Sequence, residues 1–205
     1  MKKIRLLTLV ALGVLFGSVA NAQIQKGNLM VGADLTNINF TFQKQGNAFD
    51  FNLSPKIGWF IMDGLAIGGY VNFGVNTTKN KDTDVKTSST NYGVGAFARY
   101  FFEDKNIRKL EFSKRVRFFA EANAGIAGTN PASGASTNGF NAGIGPGIAY
   151  FITPNVGLEG LLKYDLTVGG GNSTTANRIG LHVGFQIYLP SAKAKQIYRE
   201  EKGRK

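Results

Sequence analysis

From Leu29 onward, apolar and polar positions alternate in long runs. Phe49, Phe51, Leu53, Pro55, Ile57 and Trp59 interleave with Asp50, Asn52, Ser54, Lys56 and Gly58, and Leu65 to Val75 repeats the pattern. It recurs over Tyr92–Phe102, Val116–Ile126, Phe140–Tyr150, Val156–Leu166 and Ile179–Leu189. A period of two marks a strand whose faces meet different surroundings. An eighth run, Leu29–Phe42, begins on Leu29, Val31, Ala33 and Leu35 but resumes on Ile38, Phe40 and Phe42. One inserted residue near Asn37, a β-bulge, accounts for the slip. No later stretch is long and apolar enough for a membrane helix, and no 3.6-residue period precedes the last dozen positions.

The eight runs, each about 10–14 residues, exceed the ~5–6 residues of an ordinary globular strand. They match what a tilted strand needs to cross a bilayer. No charged residue falls on the apolar face. The other face carries Asp34, Asp50, Lys56, Arg99, Arg117, Glu121, Glu159, Lys163 and Asp165 among glycines, with Tyr70, Phe97, Phe101, Phe119 and Tyr188 embedded. Isolated charges of both signs beside glycine and aromatic residues suit a narrow lumen filled by side chains, not a water-facing wall. The prediction is an all-β, eight-stranded antiparallel up-and-down transmembrane β-barrel. A soluble ligand-binding barrel is the alternative.

Aromatic residues gather at one end of the strands, at Trp59 and Phe60, Tyr100 to Phe102, Phe118 and Phe119, Tyr150 and Phe151, and Tyr188. Strand direction alternates, so these share one rim, and Trp59, Tyr100, Phe102, Phe118 and Tyr150 are the candidate interfacial girdle. Turns at 61–64 and 152–155 and a charged stretch at 103–115 lie on that side. Polar connections at 43–48, 78–90, 130–137 and 169–177 lie on the other. An even strand number and short periplasmic turns would place both termini in the periplasm. Pro55 and Pro146 each remove a ladder donor, so irregular pairing is expected beside them.

The first 22 residues add a location. Lys2, Lys3 and Arg5 precede the apolar run Leu6–Phe16, and Ala20-Asn21-Ala22 forms a small-x-small cleavage site before Gln23. The expected organisation is a cleaved signal peptide over 1–22, a barrel over 23–190 and a basic periplasmic tail over 191–205. The formal charge of +11 would then fall to +8, with 21 cations against 13 anions. Much of that excess sits in the 103–115 stretch and the tail, so it reads as solvated charge and nucleic acid is not an expected partner. With no cysteine and one histidine, disulfides, a cysteine nucleophile and multi-histidine metal centres are excluded. No cofactor is implied.

The pattern as a whole, with the stretches Phe60-Ile61-Met62-Asp63-Gly64-Leu65-Ala66-Ile67-Gly68 and Gly145-Pro146-Gly147-Ile148-Ala149-Tyr150-Phe151, resembles the OmpA-like family of eight-stranded outer-membrane barrels in its short Bacteroidetes form. The resemblance covers about residues 27–190. In the last strand His182, Gly184, Ile187 and Leu189 look like the family's assembly signal, although Pro190 and a tail follow where the commonest form ends on an aromatic. The resemblance implies the outer membrane of a Gram-negative cell, outer-membrane lipid and lipopolysaccharide as surroundings, and the barrel-assembly machinery as a partner.

Counting outward from the 103–115 connection sets Arg99 opposite Glu121, Phe101 opposite Phe119 and Glu103 opposite Arg117. Counting across the bulge brings Asp34 near Lys56, and counting across 169–177 brings Asp165 near His182. Lumen ion pairs Arg99–Glu121, Asp34–Lys56 and Asp165–His182 are therefore expected. His182 is the sole imidazole, and no serine motif accompanies it, so it reads as an interior partner and not as a general base. These features favour a structural or surface-interaction barrel that uses its external loops, of unknown partner. A narrow porin-like channel for ions or small solutes is the alternative, ahead of a lipid-modifying enzyme.

Overall fold

The computed structural model describes residues 24–42, 46–80, 85–102, 115–132, 136–170 and 175–190. The expected leader (1–22), the tail (191–205) and residues 103–114, including Glu103, lie outside the described residues. Eight strands follow one another: β1 (Leu29–Phe42), β2 (Gly46–Met62), β3 (Leu65–Asn80), β4 (Lys86–Phe101), β5 (Val116–Pro131), β6 (Thr137–Thr153), β7 (Val156–Gly170) and β8 (Thr175–Leu189). Each is antiparallel to the next, and β1 pairs with β8 to close a barrel.

The two faces are inverted relative to a protein in water. Ile144, Leu162, Leu181 and Val94 are exposed on the outside, while Arg99, Glu121, Lys56, Asp34 and Glu159 are buried inside. An outer wall of bare Ile, Leu and Val is stable only if its solvent is hydrocarbon.

Strand ends differ from the sequence expectation on both sides. β2 and β6 run on to Met62 and Thr153, so the turns are the two-residue pairs Asp63-Gly64 and Pro154-Asn155, not four residues. Gly64 has φ 76, a left-handed conformation in which a side chain would be strained. On the other side β3 and β4 stay paired up to Lys79↔Lys86, where a loop over 78–90 was expected. There both strand faces are polar, so the alternation ends where the lipid ends and not where the ladder ends.

The bulge in β1 lies between Leu35 and Asn37, with Thr36 as the extra residue. Both prolines interrupt one ladder. Pairing of β2 with β3 skips from Leu53↔Phe73 to Lys56↔Tyr70, and β6 with β7 skips from Ile144↔Tyr164 to Gly147↔Leu161. On their other sides Pro55 and Pro146 stay in register with Ala33 and Ala120.

Candidate functional site

The lumen is layered from the short turns upward. Its floor is aromatic: Phe60, Phe101, Phe119, Phe151 and Tyr188 are buried with Met30, Ala66, Ala149 and Leu161. Ring centroids lie 5.4 Å apart for Phe101–Phe119 and 5.1 Å for Phe151–Tyr188. Phe101, Phe119 and Tyr188 lie on the lumen face as the alternation predicts; Phe60 and Phe151, grouped by sequence only with the aromatic rim, also belong inside, because consecutive strand residues point to opposite faces. From below, the segment 24–28 is bonded to the end of β2 and the β2–β3 turn. Gly27 N donates to Phe60 O at 2.8 Å, Gly64 N donates to Ile24 O at 2.8 Å, and Ile24 packs on the floor.

Above the floor runs a string of alternating charges. Lys56 Nζ lies 2.6 Å from Asp34 Oδ2 and 3.0 Å from Glu121 Oε1. Arg99 continues it, with Nη2 2.6 Å from Glu121 Oε2 and Nη1 2.6 Å from Glu159 Oε2. Neutral donors cap the two acidic ends: Gln186 Nε2 donates to Asp34 Oδ1 at 3.2 Å, and the Tyr188 hydroxyl donates to Glu159 Oε1 at 2.7 Å. The Arg99 guanidinium is 1 % exposed and lies 4.0 Å from the centroid of the Phe119 ring, a cation–π contact. Arg99 and Glu121 face each other in the ladder; Asp34 meets Lys56 diagonally, since its direct partner is Ser54. Sequence reasoning placed Glu159 in the lumen but missed its pairing with Arg99, and the caps. Glu159 stands opposite Ala149 and Gly184, so no pairwise count could find its Arg, which reaches it across the lumen.

The lumen glycines make room for these side chains. A Cβ at Gly147 would fall 2.3 Å from the Phe119 ring, at Gly58 2.9 Å from Phe97, and at Gly95 2.7 Å from Tyr70. The space that glycine leaves on this face is filled by rings at these three places.

Towards the loops the lining becomes amide and hydroxyl. Asn123 Nδ2 donates to the Tyr70 hydroxyl at 2.9 Å and to Asn141 Oδ1 at 3.2 Å. Asn141 donates to Thr167 at 3.0 Å, Thr129 donates to Asn91 at 2.8 Å, and Asn76 donates to Asp50. Asp165 is held by Lys163 at 3.1 Å, with His182 Nε2 4.0 Å away. The ladder sets Arg178, not His182, opposite Asp165, and His182 opposite Leu161. Among the described residues no hydroxyl hydrogen-bonds His182 and no three His, Cys, Asp or Glu residues converge on a metal position.

Outside, Trp59, Tyr100, Phe102 and Phe118 are exposed at the turn-side rim, and Tyr150 is half-buried there. A second belt, absent from the sequence reading, lies at the loop side. The Tyr92 hydroxyl donates to Asn138 and the Tyr164 hydroxyl to Asn177, both on the outer face, and Thr77 bonds Ser88 at 3.1 Å. An outward tyrosine followed by polar outward residues was the available signal. In β8, His182 and Gly184 face the lumen, whereas Ile187 and Leu189 are half-buried in the outward phase.

This inverted, double-belted barrel is matched by known proteins. The description "outer membrane protein beta-barrel domain" matches residues 7–186. The chain belongs to that family. Its place is the outer membrane. Among solved structures it is similar to Neisserial surface protein A, at 17 % identity and TM-score 0.50 over 78 % of this chain and 95 % of that one. It is also similar to OprG of Pseudomonas aeruginosa, at 9 % identity and TM-score 0.50 over 85 % and 100 %. At these identities the likeness is one of fold. No curated protein matches the sequence.

Proposed function

We propose that this outer-membrane barrel is a closed structural element whose external loops are its contact surface. The observation that carries the reading is the turn-side half of the lumen, where the aromatic floor and the string from Asp34 to Glu159 leave the central Arg99 fully enclosed. Eight strands give an interior just wide enough for side chains. Single-channel recording of the refolded protein tests it. A silent bilayer, with insertion verified by protease protection, is the expected result; long-lived reproducible openings would favour the narrow channel.

The short turns Asp63-Gly64 and Pro154-Asn155 support placing that rim, and both termini, in the periplasm, with a leader removed after Ala22. Protease treatment of intact cells should then cut only in the connections near 43–45, 81–84, 133–135 and 171–174. Lipopolysaccharide and outer-membrane lipid are the proposed surroundings, and His182, Gly184, Ile187 and Leu189 the proposed assembly signal; nucleic acid is not a proposed partner. The protein is read as non-enzymatic because, among the described residues, no hydroxyl bonds the His182–Asp165 contact.

A further inference from the structure

The ladders around the barrel are unequal. β3 and β4 are in register from Leu65↔Tyr100 to Lys79↔Lys86, whereas β1 and β8 are in register only from Leu29↔Leu189 to Leu35↔Val183. Beyond that point β1 stays on β2 as far as Phe42↔Asn47, and β8 stays on β7 as far as Thr175↔Val168. Each therefore turns an unpaired edge towards the other. The split begins at the Thr36 bulge, and a bulge bends its strand and terminates pairing. At ~3.3 Å per residue the open edge is roughly 20 Å long.

Burial follows the split. Ile179 is 73 % exposed, more than any other large hydrophobic residue described. Ala176 and Arg178 share the lumen phase of buried His182 and yet are exposed, while Ser89, Thr129 and Thr167, towards the same end on other strands, are half-buried. The opening starts inside the apolar band at Leu181 and passes the belt at Tyr164 and Asn177.

Free peptide N–H and C=O groups cannot face hydrocarbon, so whatever covers this edge must supply polar atoms. Arg178 has no ion-pair partner among the described residues, and Asp165 opposite it is already held by Lys163. Arg178 lies on the lumen side of this open edge, and Ile179, Leu181 and Val183 form an apolar strip on the outer face of the same edge. We propose that the split β1–β8 seam seats one phosphate-bearing lipid, its phosphate on Arg178 and the free edge N–H groups and its acyl chain along Ile179, Leu181 and Val183. With the loops outside, as proposed above, that leaflet is the outer one and the lipid is lipid A. A strand from a second copy related by a two-fold would bring Arg178 towards its own counterpart, which disfavours that occupant.

The test is native mass spectrometry of the refolded chain in detergent with added lipid A. One lipid A should be retained, Arg178→Ala should lower the retained fraction about five-fold, and Arg178→Lys should restore most of it. Phosphatidylcholine should be held no better than lipid A on Arg178→Ala. A photo-crosslinking residue at Ile179 should capture lipid A in preference to one at Ile126 on the opposite wall. Equal retention by Arg178→Ala, equal labelling at 179 and 126, or a bound second chain in place of lipid would overturn the site. So would amides of 176–181 as protected from hydrogen exchange as those of 124–129, since that means a zipped seam. Preference for phosphatidylglycerol over lipid A would overturn lipid A as the occupant, and the intact-cell protease experiment reports separately on whether the loop orientation had failed.

Discussion

Between the short turns and Asn123 the lumen is filled by stacked rings and an alternating string of buried charges, whereas from Asn123 to the loops it is lined by half-buried amides and hydroxyls. Both halves sit in the same strands, inside the same apolar wall. The turn-side half is held by groups that have no substitute partner: removing one cation leaves carboxylates in a dry interior, and removing one ring opens a hole. Apart from the more exposed Lys163–Asp165 pair and the Asn76–Asp50 bond, the loop-side half is held by neutral groups that water can replace. The first is therefore expected to be the rigid part of the barrel and the second the part that tolerates change.

The largest effect should come from cutting the string in its middle. Arg99→Met leaves Glu159 without a cation and Glu121 with Lys56 alone, and breaking a buried ion pair from one side typically costs ~3–5 kcal/mol. Asn141→Ala in the upper half removes neutral hydrogen bonds and should cost about 1 kcal/mol. Urea titrations of protein folded into lipid vesicles measure both. Equal losses would erase the distinction between the halves. Combining Arg99→Met with Glu159→Gln should cost less than the separate losses added together; strict additivity would refute the pairing.

Next in size is the outer wall, where depth replaces height in the lumen as the variable. Ala122→Arg near the middle of the apolar band should cost about 2–4 kcal/mol, and Thr77→Arg at the loop-side belt about 0–1 kcal/mol. The same vesicle titration checks this, and a flat profile from Ala122 to Thr77 would contradict the assigned band.

How much of this was legible in the sequence depends on whether a signal is local. Strand number, phase, the β1 slip, the disturbance at Pro55 and Pro146 and the Arg99–Glu121 register all follow from period-two counting along one chain and across one turn. Arg99 meets Glu159 across the lumen, from β4 to β7, and no count along neighbouring strands reaches that pair; the Gln186 cap on Asp34 lies across the closing β8–β1 pair, and the Tyr188 cap on Glu159 lies four residues out of register on β8. The rings at Phe60 and Phe151 were grouped by height alone, and their facing had to be read from parity with Trp59 and Tyr150. The strand ends above the lipid carry no alternation at all, so Lys79↔Lys86 left no trace of pairing.

Glycine substitutions refine the comparison at the scale of single methyl groups. Gly147→Ala would drive a methyl into the Phe119 ring, which is pinned between Phe101 and the Arg99 guanidinium, so the neighbour cannot yield cheaply. A loss of about 1–3 kcal/mol is expected, as for other overpacked cores. A near-neutral result in the vesicle titration would mean the floor is loosely packed.

The smallest effect has the opposite sign. At Gly180, in the loop-side half beside the split seam, an added Cβ meets nothing closer than His182 Nε2 at 3.6 Å, an ordinary contact, and the backbone is not in the left-handed region. Alanine fits there without displacing anything, and it narrows the unfolded ensemble, which at compatible positions stabilises by about 0.4–1 kcal/mol. Gly180→Ala should therefore raise the urea midpoint slightly while Gly147→Ala lowers it. The two positions share a lumen-facing phase and differ only in which half of the barrel they occupy. A destabilised Gly180→Ala would require a neighbour packed onto β8 from the β1 side, and would close the seam that the short β1–β8 ladder leaves open.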